Sequence, residues 1–94
     1  MTTIDQQHIQ ELLQMHGLQI NHITVEPTLN AYLECNIHVH YQQQIWVLYG
    51  DLHSSWQWSC YLTNSKDLHA YKHTNLNLIC QHIKHKCRIL ADTT

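Results

Sequence analysis

Glycine and proline are nearly absent from this chain of 94 residues, which has two of the first and one of the second. With only Gly17 and Gly50 available, no glycine-rich loop can cradle a phosphate, and the usual nucleotide-binding signatures are excluded. Charge is scarce too. Asp, Glu, Lys and Arg make up 13% of the residues, about half the usual share for a globular protein. No cation occurs before Lys66. The acids Asp5, Glu11, Glu26, Glu34 and Asp51 precede it, whereas Lys66, Lys72, Lys84, Lys86 and Arg88 all fall in the last third. So few acids leave little to orient a catalytic base or to form a carboxylate pair, and no enzyme is expected.

No apolar run approaches membrane-spanning length. The opening residues, MTTIDQQHIQ, lack the basic region and apolar core of a secretion signal. A cytoplasmic protein without membrane contact is therefore expected. Cys35, Cys60, Cys80 and Cys87 form no CxxC pair. Each falls on an apolar position of its element, which suits reduced, buried thiols and no disulfides.

Histidine fills part of the gap left by charge, with ten in the chain. Hydrophobic content of 44% is ordinary for a folded protein, and residues 1–94 make one domain. The chain is organised around YLECNIHVHYQQQIWVLYGDLHSSWQWSCYL, from Tyr32 to Leu62, which holds all three tryptophans.

Period and punctuation place the elements. A first helix is expected over Ile4–His16, capped by Thr3 with Gln6 three residues on. Ile9, Leu12, Leu13 and His16 share its face, and Gly17 supplies the left-handed stop. Leu18–Val25 alternates as a strand, with a bulge near Asn21 and His22, and Pro27 ends it. Tyr32–Tyr41, Ile45–Leu52 and Trp56–Leu62 form the next strands, with a bulge marked by Gly50. Asn64 or Ser65 caps a short helix through Lys72. A longer helix runs from Asn75 to about Leu90 with Leu76, Ile79, Cys80, Ile83, Cys87 and Leu90 as its stripe. The order α-β-β-β-β-α-α gives an α+β sandwich of two layers: a four-stranded antiparallel meander, an N-terminal helix and one or two C-terminal helices.

The glutamines between the second and third strands decide the register. A three-residue loop sets Ile45, Val47 and Tyr49 over Val39 and Ile37. A two-residue loop sets Trp46 and Leu48 there instead, since a slip of one residue turns every side chain over. In either case the strand is apolar on both faces, and one layer of helices covers only one.

The uncovered face points to protein binding. Interface cores are rich in aromatics and poor in Lys and Glu, as this sheet is. The expected partner-binding residues are Trp46, Leu48, His38, His40 and Tyr32, on a module that acts as an inhibitor, an immunity or anti-defence factor, or an adaptor. The partner is another protein, with a homodimer as one form. A second reading is nucleic-acid binding, through stacking on the aromatic sheet face or through Lys84, Lys86 and Arg88 of the last helix. The α-β-β-β-α core resembles in topology that of double-stranded-RNA-binding domains, but lacks their basic cluster at the start of the last helix. A third reading is a metal site, since His38/His40, His69/His73 and His82/His85 have ligand-compatible spacing. No four-ligand pattern appears, however, so no metal or cofactor is expected.

Overall fold

The computed structural model describes residues 2–30, 32–63 and 71–92. Its elements are α1 (Thr2–Met15), β1 (Gln19–Glu26), β2 (Leu33–Tyr41), β3 (Gln44–Leu52), β4 (Trp56–Leu62), β5 (Tyr71–His73) and α2 (Leu76–Asp92). The strands pair antiparallel in chain order, as a meander. Both helices lie against one face, so the α+β class and the N- and C-terminal helices stand as expected from the sequence.

One strand was missed. Tyr71 and Lys72 pair with Cys60 and Ser59 as β5, where a short helix was expected. The rest of that segment, residues 64–70, lies outside the described residues, as does His69. The sheet has five strands rather than four. Three residues are too few for an alternation pattern to declare itself, and pairing to β4 decides their conformation.

The ends of α1 follow from local chemistry. The helix already includes Thr3, so that residue does not stand outside it as a cap. At the other end Leu18 N–H donates to the Leu13 carbonyl at 3.1 Å and Gly17 N–H to that of Gln14 at 2.9 Å. This is a Schellman closure, and Gly17 has the positive φ of 77° it requires. On β1 the register shifts between Ile20 and His22, which is the expected bulge.

The core lies between helices and sheet. Leu33, Cys35, Ile37 and Val39 of β2 are buried, and so are Trp46 and Leu48 of β3 and Trp58 and Cys60 of β4. Ile9, Leu13 and Leu18 close it from one side, and Leu76, Ile79, Cys80, Ile83 and Cys87 from the other. All four cysteines are buried with free thiols. Gly50 makes no bulge, because its pairing with Cys35 and Trp58 runs unbroken. Its missing side chain is filled by the Trp58 indole. A Cβ at this position would stand 2.5 Å from that ring. Trp56 stacks on Trp58 with centroids 4.9 Å apart.

Candidate partner-binding face

The register turns on two glutamines. Tyr41 pairs with Gln44, so only Gln42 and Gln43 form the turn, and both have positive φ, 49° and 68°. These are the signs of a type I′ hairpin turn, which matches the twist of the flanking strands. Glycine or asparagine normally takes such positions, so nothing in the residue types marks the two-residue loop.

This loop corrects the expected site. Trp46 stands opposite Val39, and Leu48 opposite Ile37. Trp46 is 3% exposed and Leu48 0%; both belong to the core beneath the helices, not to an outward face. The Trp46 ring meets His82 of α2 edge to face. Burial pushes the Cys87 thiol up, and Trp46 opposes that rise. Tyr32 is exposed, but it lies beside the Thr28–Asn30 loop ahead of β2 rather than within the sheet.

What Trp46 and Leu48 vacate, their neighbours on β3 occupy. Ile45, Val47, Tyr49 and Asp51 point away from the helices. Across from them stand His40, His38, Asn36 and Glu34 of β2. On the far side Val47 faces Tyr61, and Tyr49 faces Ser59. Ile45 is 43% exposed and Tyr61 45%, while Val47 is buried between its cross-strand neighbours. Ile45, Val47 and Tyr61 thus form an apolar cluster on a face that neither described helix covers.

Polar groups frame that cluster. His38 is exposed and His40 half-buried. The His38 ring meets that of His22 on β1 edge to face, with centroids 5.9 Å apart. At the opposite end Glu26 pairs with Glu34, and Glu34 with Asp51, giving three acids in a row across β1, β2 and β3. Tyr49 donates a hydrogen bond to the Asp51 carboxylate, which pushes its phenol above the ordinary range, with Glu34 adding to the effect.

The other candidate groups lie elsewhere. Lys86 and Arg88 are exposed on α2, across the sheet from the open face. Lys84 is half-buried, with its ammonium 3.4 Å from His16 Nδ1. His73 belongs to β5 rather than to a helix. His82 stacks flat on Tyr71 at 4.0 Å; burial holds its pKa below the usual histidine value, and Lys86 and His85 push the same way. Among the described residues no group of three or more His, Cys, Asp or Glu is placed to hold a metal ion, and no helix is long and apolar enough to cross a membrane.

A groove of about 580 Å³ opens on the helix side, bordered by His8, Ile9, Leu12 and Leu76 and reaching Trp56 and Trp58. No known protein family, curated protein or solved structure matches the chain.

Proposed function

We propose that this chain is a protein-interaction module that binds through the open face of its sheet. The observation that supports this is the exposure of Ile45 and Tyr61, flanking Val47, on a face that neither described helix covers. Exposed apolar residues gathered at one place, rimmed by polar groups, mark interaction surfaces. The histidines beside them suit an interface core better than lysines would, since they need not carry charge at neutral pH. On this reading the chain acts by binding, not by catalysis, in a role such as inhibitor, immunity or anti-defence factor, or adaptor.

Nucleic-acid binding is the second reading, supported by the exposed cations Lys86 and Arg88. It has a geometric difficulty. The aromatic face and the cations lie on opposite sides of the domain, so base stacking and phosphate neutralisation do not converge on one strand.

The test is capture from the native host with the wild-type chain and with an Ile45→Glu/Tyr61→Glu variant, both matched for melting temperature. A specific co-purifying protein lost only with the variant supports the reading. A partner retained by the variant, or nucleic acid lost on Lys86→Ala/Arg88→Ala, overturns it.

A further inference from the structure

The open face carries carboxylates at one end and imidazoles at the other. Glu26 and Glu34 sit at one end of β1 and β2 beside Asp51 of β3. Four residues along the same two strands stand His22 and His38, with their rings in contact. Like charges set directly across a sheet repel, and a carboxylate row at one end and an imidazole row at the other each lack what the other offers.

We infer that the occupant of the open face is a second copy of this chain, packed sheet to sheet about a two-fold axis crossing the strands. The inference rests on the reading of that face as the binding surface. Rotation about such an axis reverses strand direction while keeping β1 over β1 and β2 over β2. The acid end of each copy then covers the histidine end of the other, twice per dimer, as an isologous contact requires. A two-fold axis along the strands would instead lay Asp51 of one copy on Asp51 of the other. Asn36 and Tyr49 fall in the row on the crossing axis, and Val47 lies one row towards the histidine end. A sheet of this size, with strands about 4.8 Å apart and about 3.3 Å of rise per residue, offers about 600 Å² per copy. Two such faces reach the lower limit of specific interfaces, about 1,200 Å².

Proton linkage follows from the pairing. A carboxylate set against imidazole favours its charged form. Dimerisation therefore takes up protons, and it tightens as pH falls from 8 to 6. Lys72 is the described cation on this face, and it lies on β5, at the sheet edge opposite β1.

Sedimentation velocity on the full chain tests this, with two charge variants: Glu26→Lys/Glu34→Lys and His22→Glu/His38→Glu. Melting curves confirm that both fold. The wild type is expected to dimerise roughly tenfold more tightly at pH 6 than at pH 8. Each variant alone is expected to be monomeric, and an equal mixture of the two to dimerise, because each reversed end meets its complement. A wild type that stays monomeric at every pH overturns the second copy as occupant. Capture of another protein that still depends on Ile45 and Tyr61 would then leave the open-face reading standing. A dimer that both variants form unaided also overturns the inference, and if capture ignores Ile45 and Tyr61 as well, the open-face reading falls with it.

Discussion

Val39 lies directly opposite Trp46 across β2 and β3, and both are buried on the helix side of the sheet. That pairing fixes which half of β3 is core and which half is surface. Trp46→Ala is therefore expected to remove about 3–5 kcal/mol of folding stability, a large share of what a domain of this size holds. Urea unfolding followed by circular dichroism checks it. A variant with an unchanged midpoint would place Trp46 outside the core.

The Gln42–Gln43 turn stores strain. Each L residue in the left-handed region costs roughly 1–2 kcal/mol unless it is glycine or asparagine. Gln42→Asn/Gln43→Gly is expected to stabilise the chain by about 1–2 kcal/mol, raising the melting temperature by several degrees. Partner capture should not change. A lower melting temperature would contradict the two-residue turn.

Gly50 and Gly17 should respond differently to the same change. Gly50→Ala drives a methyl group into the Trp58 ring, and overpacking of that kind costs about 1–3 kcal/mol. It should also disturb the stacked tryptophans and so the near-UV circular dichroism. At Gly17 an added methyl meets nothing within 4 Å, and only its φ of 77° resists, at about 1–2 kcal/mol. Equal near-UV spectra for the two variants would argue against the Gly50–Trp58 contact.

Stability should fall at high pH. Burial pushes the thiols of Cys35 and Cys60 up to about 12 and that of Cys80 to about 11, from an ordinary value of 9.0. The folded chain thus keeps protons that the unfolded chain releases. The stabilisation is fully present below pH 9 and is lost as pH rises towards 11 and 12, at about 1.4 kcal/mol per pH unit for each thiol. Denaturant melts between pH 8 and 11 read the slope. His82 works at the other end. Its lowered pKa means that the unfolded chain binds the proton first, so stability should also decline as pH falls below about 6.5.

Much of this architecture was legible in the residues. The alternation of Leu33, Cys35, Ile37 and Val39 declared β2, the stripe from Leu76 to Cys87 declared α2, and Gly17 declared the end of α1. The open face was legible as a surplus of apolar area on β3, but its residues were not. Their identity depended on a turn of two glutamines in a conformation their side chains do not favour. Once the turn closes on Tyr41 and Gln44, Ile45, Val47 and Tyr61 take the place expected of Trp46 and Leu48. Residue size misled as well, since Trp46 has the surface chemistry of an interface anchor yet fills the space against His82 and α2.

The claim that the open face is the binding surface is tested most directly by photo-crosslinking in the native host. A photoreactive side chain is placed at Ile45, on the open face, and in a second experiment at His85, exposed on α2. Crosslinking to one discrete protein species from position 45 and none from position 85 is the result predicted. Crosslinks from position 85 alone, or from neither position, would contradict it.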